Sequence, residues 1–410
     1  MSLDTFRGLT VAAMILVNNP GSWKSIWPPL RHASWHGCTP TDLIFPFFLF
    51  IVGVSMAMNR GQRSTGAAEN PDDQHTVPLI TTMLSVVRRS VTLVMLGLLL
   101  NWFGKWSFVD LRLPGVLQRI GICYFFASII IETFPRKWQW GVPLLLVAHA
   151  AMLIFLTPAP IDPTWPASIA ESANLQRVID RAVFFPANLY LGSMTDPEGL
   201  LGTLTAVATV LIGFWCGGVI QRAVTNGAEK SAVATLLAAG SCAVFAGYTA
   251  AGFPALGSES GWFSVSPDWA MPLNKPLWTA SYTLFSAGLG AIAIGGLFWL
   301  LDCAAAAPLR FRKAALPSLD GARAIGRNAM LVFVGSGLLA RVLTMITAPV
   351  EVDITAGGVQ RINLKTWMFE SGLSPAFGPV LGSLVFALCN VLFWIIIATI
   401  LDRRKLYWRV

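Results

Sequence analysis

Two histidines in residues 30–45, LRHASWHGCTPTDLIF, have a spacing that suggests chemistry. His32 and His36 lie four residues apart, and Asp42 follows at the start of an apolar run. An imidazole has a pKa of about 6.5, so it can act at neutral pH as a general base or as a nucleophile. A carboxylate can orient such a ring by a charge-assisted hydrogen bond. Two alternatives stay open: solvated loop histidines, and a carboxylate that only caps the N terminus of a helix.

The chain around this segment has the composition of a membrane protein. Hydrophobic residues make up 55% of it and charged residues only 12%, and apolar runs recur throughout. Lipid cannot satisfy backbone polar groups, so we expect an all-α polytopic membrane helical bundle of about ten transmembrane helices. The predicted spans are residues 4–19, 41–59, 79–103, 113–134, 139–157, 200–220, 231–250, 277–302, 326–348 and 377–401.

The spans are expected to pack as a single domain over residues 1–410. The segment 158–199, which is rich in Pro at its start, is predicted to be an outward-facing cap of short helices. The first span carries Asp4 and Arg7 and could instead be a cleaved signal sequence. No small-x-small cleavage site follows Val17, which favours a span.

Lys and Arg are distributed unequally between the two sets of loops, and cytoplasmic loops carry the excess. The asymmetry predicts that both termini are cytoplasmic and that the loop with the two histidines faces outward. The net charge of +8 is explained by this orientation and needs no nucleic-acid partner. The cationic set that defines the cytoplasmic side is Arg7, Arg60, Arg63, Arg136, Lys137, Arg222, Lys230, Arg310, Arg312, Lys313, Arg323 and the tail DRRKLYWRV.

Ionisable groups at membrane depth are costly, so they indicate function or pairing. Asp4 and Arg7 are three residues apart and can pair on one helix face, or Arg7 can contact a phosphate. Arg88 and Arg89 are about 100° apart on a helix, so one is expected to face the interior. No Asp or Glu lies in the middle of a span, which argues against an ion-coupled transporter. No pair of cysteines shows metal-ligand spacing, so no metal is predicted.

Five blocks of the sequence carry a family resemblance: LDTFRGLTVAAMILVNNPG, HASWHGCTPTDLIFPFFLFIVG, LPGVLQRIGICYFF, DPEGLLGTL and PLNKPLWTASYTL. In this order they resemble the transmembrane catalytic region of the heparan-α-glucosaminide N-acetyltransferase family. The resemblance implies a membrane-bound acetyltransferase. It would move an acetyl group from cytosolic acetyl-CoA to the amino group of glucosamine or a related amino sugar on the extracytoplasmic side. In a bacterium, the inner membrane is the expected location.

The resemblance also assigns the catalytic group. The active-site histidine of the family lies in its HASW block, which places this role on His32. The family position that matches His36 is commonly Asn, so His36 is expected only to help bind the substrate. Asp42 would orient the imidazole or an ammonium group. Asn18 could hold the thioester carbonyl as in an oxyanion hole, or simply form a turn.

Separate sets of residues are expected to contact the two substrates. Arg119 lies in the fourth span, and its buried guanidinium needs a partner, either Asp42 or a ligand oxygen. Lys275 could instead be an interfacial anchor, and Glu198 a first-turn charge that favours the helix dipole. The predicted contacts of acetyl-CoA are Arg7, Asp4, Arg88, Arg89, Gln118 and Arg119, and those of the acceptor are His36, Trp35, Glu198, Asn274 and Lys275.

Two rival functions remain open: a transmembrane O-acyltransferase of an envelope glycan, and a transporter of amino sugars or metabolites. Direct transfer and an acetyl-histidine intermediate are both compatible with the residues. A homodimer is compatible with such a bundle, although no sequence feature demands it. His149 lies in mid-membrane outside the five blocks, where a neutral histidine bonded between helices is favoured over a proton relay.

Overall fold

A computed structural model of the protein describes residues 1–66, 79–157, 170–190, 195–252, 255–258, 261–264, 271–303, 319–351 and 359–408. The predicted cap at 158–199 is described in part, because residues 158–169 and 191–194 lie outside these ranges. In the described part of the cap, one helix and one short 3-10 turn follow each other.

Every predicted span coincides with a helix. Within the described ranges, eight helices are long and apolar enough to cross a membrane, and a pair bent by 89° adds a ninth. The remaining span is the first helix, which has 17 residues. The all-α membrane bundle is therefore confirmed. The helices are α1 (Ser2–Asn18), α2 (Ile44–Gly66), α3 (Leu79–Trp102), α4 (Val116–Thr133), α5 (Gly141–Leu156), α6 (Leu175–Val183), α7 (Thr203–Asn226), α8 (Glu229–Ala250), α9 (Ala280–Leu301), α10 (Leu319–Arg327), α11 (Ala329–Met345), α12 (Leu364–Trp367), α13 (Ser374–Phe377) and α14 (Pro379–Arg403).

Two small antiparallel hairpins lie between the helices and were not predicted. Strands β1 (Ala255–Ser258) and β2 (Gly261–Ser264) form one, and β3 (Thr347–Glu351) and β4 (Val359–Asn363) form the other. The turn of π-helix at Met368–Leu373 connects α12 and α13. These elements are short, so their local sequence signal is weak compared with that of an apolar span.

The helices α2 and α7 pack with their backbones in close contact. A Cβ atom added to Gly53 would lie 1.9 Å from the carbonyl oxygen of Val210, and one added to Gly213 would lie 2.1 Å from that of Phe50. Small residues allow this approach, as is common between membrane helices. The close packing fixes α2, whose first turn follows directly after Asp42, against the rest of the bundle.

A second close crossing joins α1 to α10. A Cβ atom added to Gly8 would lie 1.6 Å from the carbonyl oxygen of Ala322, and one at Gly326 would lie 1.7 Å from that of Asp4. The crossing brings the first turns of α1 next to the bend between α10 and α11. A cavity described below opens at this end of the bundle.

Candidate active site

The first turn of α2 is preceded by a 3-10 helix, Pro40–Leu43, which fixes the carboxylate of Asp42. Pro40 suits the first helical position because its missing N–H needs no partner there. Asp42 Oδ2 accepts hydrogen bonds from the backbone N–H of Thr39 at 3.1 Å and from the Thr39 hydroxyl at 2.9 Å. It also accepts from the N–H of Ala33 at 3.1 Å. The carboxylate thus caps the helix and holds the preceding loop in place.

The other carboxylate oxygen of Asp42 contacts His32. Oδ1 lies 2.6 Å from His32 Nδ1, and the Asp42 side chain is only 3% exposed, whereas that of His32 is 51% exposed. An ionised carboxylate only accepts hydrogen bonds, so Nδ1 carries the proton of the neutral ring. The lone pair then lies on Nε2. This is the tautomer that a general base or a nucleophile needs.

Lys275 completes this group from the segment before α9. Its Nζ lies 3.5 Å from Asp42 Oδ1 and 3.3 Å from His32 Nδ1. The carboxylate oxygen is therefore shared by an imidazole and an ammonium group. The predicted acceptor contact at Lys275 thus lies beside the predicted catalytic pair.

Asn274 fixes the loop from behind. Its Oδ1 accepts from the N–H of Leu277 at 2.7 Å, so its Nδ2 is the donor. Nδ2 donates to the carbonyl of Trp35 at 3.1 Å and to His36 Nδ1 at 3.2 Å. Burial lowers the pKa of His36 to about 3, so its ring is neutral at neutral pH. Neither Asn274 nor His36 lines the cavity at His32, and their predicted acceptor contacts stay predictions.

Tyr282 of α9 is a site residue that the sequence reasoning missed. Its hydroxyl donates to the backbone carbonyl of Asp42 at 2.5 Å, and its side chain is fully buried. This hydrogen bond connects α9 to the 3-10 turn that precedes α2. Tyr282 belongs to the block PLNKPLWTASYTL, which was the available signal, but 240 residues separate the two partners.

A cavity of about 290 Å³ opens at His32, at the end of the bundle that the sequence predicts to be outward. Asn18, the last residue of α1, is exposed and lies on its wall. The amide of Asn18 and the imidazole of His32 thus face one space. The polar side chains on the wall are Asn18, His32, Trp35, Thr41, Asp42, Arg112, Tyr190, Glu198 and Lys275.

Glu198 is already paired on the wall of this cavity. Arg112 forms ion pairs with Glu198 and, at 3.0 Å, with Asp196. The guanidinium of Arg112 also lies 4.5 Å from the ring centroid of Tyr190. Burial lowers the pKa of Arg112, but the charges of Glu198 and Asp196 outweigh this effect and raise it. Arg112 was not predicted from the sequence as a site residue.

A larger cavity of about 680 Å³ lies at the end of the bundle that holds the N terminus. Arg7 Nη1 lies 3.3 Å from Asp4 Oδ1, and Nη2 donates to the hydroxyl of Ser55 at 2.8 Å. Both Asp4 and Arg7 line this cavity. Arg89 lines it too, whereas Arg88 is exposed elsewhere, which matches the expected division between the adjacent pair.

The end of α10 and the C-terminal tail contribute residues to this cavity that were not predicted. Arg327, Tyr407 and Trp408 lie on its wall. Asp402 holds Arg327 in an ion pair at 2.9 and 3.0 Å and accepts from the Tyr407 hydroxyl at 3.0 Å. Arg7, Arg89 and Arg327 therefore give the cavity three cationic groups.

Arg119 lies away from both cavities. It is buried, its Nη2 donates to the carbonyl of Gly199 at 2.5 Å, and its guanidinium lies 5.2 Å from the ring centroid of Trp278. The expected partner was Asp42 or a ligand oxygen, and the observed one is a backbone carbonyl. Gln118 lines a side cavity of about 310 Å³ that it shares with Asn18.

Comparison with known proteins supports the resemblance. Residues 1–193 match the family model described as heparan-alpha-glucosaminide N-acetyltransferase, catalytic. The whole chain aligns with the heparan-alpha-glucosaminide N-acetyltransferase of Mus musculus at 24% identity and with that of Homo sapiens at 23%. The chain spans 60% and 59% of the length of these two relatives. The resemblance to this transmembrane N-acetyltransferase family is thus confirmed.

Proposed function

We propose that the protein transfers an acetyl group from acetyl-CoA to the amino group of glucosamine or a related amino sugar. The observation that carries this proposal is the position of the His32–Asp42 pair. It lies in one cavity, while a second cavity with three cationic groups opens at the opposite end of the same bundle. A reaction between a cytosolic donor and an extracytoplasmic acceptor needs two such entrances.

The larger cavity suits the donor. Coenzyme A carries several negative charges on its phosphates, and guanidinium groups bind phosphate oxygens in bidentate geometry. Arg89 supplies such a group, and Arg7 and Arg327 supply two more that are also paired with Asp4 and Asp402. Helix α1 runs along both cavities, with Arg7 on the wall of one and Asn18 on the wall of the other. The helix between these two residues covers about 17 Å. The thioester end of the donor would extend along α1 toward His32.

His32 would perform the proton transfer. Its Nε2 takes a proton from the acceptor amine while the nitrogen attacks the thioester carbonyl, and the C–S bond breaks as the coenzyme A thiolate leaves. The thiolate then takes the proton from the imidazolium. Asp42 keeps the imidazole in the required tautomer. The Asn18 amide can donate to the carbonyl oxygen as charge develops on it. Attack by Nε2 itself, through an acetyl-imidazole, uses the same atoms.

The acceptor would bind among the polar groups of the smaller cavity. Trp35 offers an aromatic face to a sugar ring, and Lys275 offers an ammonium group to a hydroxyl or carboxylate oxygen. Glu198 is occupied by Arg112 and contributes hydrogen-bond acceptors more than free negative charge. No metal is required in this scheme, because the base and the carbonyl donor are both side chains.

The proposal includes the location. The protein would lie in a bacterial inner membrane as a single domain, with both termini cytoplasmic, acetyl-CoA entering on that side and the part of the cap at 170–190 facing outward. A homodimer in the bilayer is compatible with it. The orientation rests on the distribution of Lys and Arg.

Product analysis tests the function. Purified protein in liposomes would receive acetyl-CoA carrying a labelled acetyl group, together with glucosamine or with a glucosamine-terminated oligosaccharide. We expect a labelled amide on the amino sugar. A labelled ester would support the O-acyltransferase alternative, and uptake of sugar that does not depend on acetyl-CoA would support a transporter. Either result would overturn the proposal.

A further inference from the structure

The two cavities meet at a pair of aromatic side chains. Among the described residues that line them, only Phe48 and Phe333 line both. Their ring centroids are 6.1 Å apart and the ring planes are inclined by 85°, so the edge of one ring faces the other. Each ring therefore borders both the space around His32 and the space around Arg7.

The backbones behind the two rings belong to different helices. Phe48 lies on α2, six residues after Asp42, and the close packing of Gly53 against α7 fixes that helix. Phe333 lies on α11, three residues after Met330, which lines the larger cavity. Both phenylalanines are only partly buried and pack against two of the apolar clusters of the bundle. A side-chain rotation, with no helix movement, can change the gap between them.

We propose that Phe48 and Phe333 form the partition between the two cavities and that the uncharged arm of the thioester donor passes between the two rings. The second part rests on the proposed function. Aromatic rings accommodate the methylene and amide groups of such an arm, whereas a phosphate loses its hydration beside them. The charged end of the donor is thus retained with Arg7 and Arg89 while its acetyl end reaches His32.

The partition has a consequence for side reactions. With the arm of the donor between them, the rings would fill the passage beside the thioester, so that less water would reach its carbonyl carbon. Water that attacked the thioester carbonyl would break the C–S bond and yield acetate and the coenzyme A thiol. The rings therefore favour transfer to the amine over hydrolysis.

Thiol labelling tests the partition without any acetyl transfer. The exposed cysteines Cys242 and Cys389 are changed to Ser, and Met330→Cys then marks the larger cavity. A charged, membrane-impermeant thiol reagent is added on the side of His32. We expect slow labelling with both rings present. Replacing them together by Ala should accelerate it at least about tenfold, the factor that about 1.4 kcal/mol of lost barrier gives.

Three controls accompany this labelling experiment. Asn18→Cys, on the near side of the rings, should be labelled quickly in every background. Phe393→Ala, on the exposed face of α14, should leave Met330→Cys protected. Phe48→Leu with Phe333→Leu keeps an apolar pair, so it should fold and should give an intermediate rate. If Met330→Cys is labelled at the same rate in the parent and in the double Ala protein, the partition is overturned.

Acetyl-CoA turnover tests the passage of the donor. The double Ala protein should raise the ratio of acetate release to transfer at least about tenfold over the parent. An unchanged ratio would overturn the passage of the arm between these rings. If the parent protein turns over no acetyl-CoA with any amino sugar, the proposed function fails. The labelling result then still decides whether the partition exists.

Discussion

His32 Nδ1 lies 2.6 Å from Oδ1 of Asp42, while Oδ2 of the same carboxylate accepts hydrogen bonds from Thr39 and Ala33. The carboxylate is therefore held from one side and orients the imidazole with the other. The ring itself is half-exposed to a cavity. A rigid carboxylate behind an accessible imidazole is the arrangement that acyl-transfer sites use to fix a tautomer.

Replacement of Asp42 by Asn tests whether the carboxylate orients the imidazole of His32 without contributing to the binding of acetyl-CoA. The introduced amide can donate a hydrogen bond to Nδ1 of His32 and favour the wrong tautomer, so we expect kcat for acetyl transfer to fall by about 10²-fold or more. The KM for acetyl-CoA should change little. Thr39→Val is the matched control, because it removes one contact at 2.9 Å and leaves the carboxylate. A larger loss of kcat in Thr39→Val than in Asp42→Asn would mean that Asp42 only caps the helix.

The adjacent arginines of α3 provide a matched pair for donor binding. Arg89 lines the larger cavity and Arg88 is exposed away from it. Arg89→Ala and Arg7→Ala should each raise the KM for acetyl-CoA, by about 10- to 150-fold if a charge-assisted hydrogen bond of about 1.5–3 kcal/mol is lost. Arg88→Ala should not. Steady-state kinetics at saturating acceptor measures this, and equal effects of Arg88→Ala and Arg89→Ala would contradict the assignment.

Labelling from each side tests the orientation. Ala187 is an exposed residue of the cap, and Ala228 is exposed at the turn between α7 and α8. In a protein without Cys242 and Cys389, Ala187→Cys should react with an impermeant thiol reagent in intact cells. Ala228→Cys should react only after the cells are permeabilised. The reverse pattern would show that both termini are extracytoplasmic.

The buried imidazole of His36 should make the stability depend on pH. Burial lowers its folded pKa to about 3, whereas an unfolded histidine has a pKa of about 6.5. The contribution of His36 to the free energy of unfolding is complete above about pH 6.5. It is lost as the pH falls, because only the unfolded chain then takes up the proton. Between about pH 7 and pH 4, the melting temperature of the parent should therefore fall more than that of His36→Asn.

Burial raises the pKa of Asp180 to about 6, and this group acts in the opposite direction. Both proteins carry Asp180, so the difference between their two pH profiles isolates His36. Parallel profiles would show that His36 takes up its proton as readily in the folded protein as in the unfolded chain.

The membrane helices could be predicted from the sequence because the thickness of the bilayer fixes the length of an apolar span. The ends of α3, predicted at 79–103 and observed at Leu79–Trp102, illustrate how closely composition follows this constraint. The two hairpins escaped prediction because a strand of four or five residues carries little periodicity.

The contacts of the site were beyond sequence reasoning. Lys275 and Asp42 could each be named from motifs, but their proximity joins residues 233 positions apart. Arg119 looked like a ligand contact because a buried guanidinium needs a partner, and a backbone carbonyl at Gly199 supplies one. Phe48 lies in one of the five blocks and Phe333 in none, but neither was predicted as a site residue, since a phenylalanine in a membrane span is ordinary. Their role can be inferred only from the two cavities that both side chains line.

The most direct test of the account is glucosamine acetylation by purified His32→Ala, with His36→Ala measured beside it. A thermal melt and coenzyme A binding verify that both variants are folded. We predict that the activity of His32→Ala falls at least about 100-fold while coenzyme A still binds, because general base catalysis contributes about 10²- to 10⁴-fold. His36→Ala should lose much less. Retention of more than about a tenth of the parent activity by His32→Ala would contradict the account, because loss of the base should cost far more.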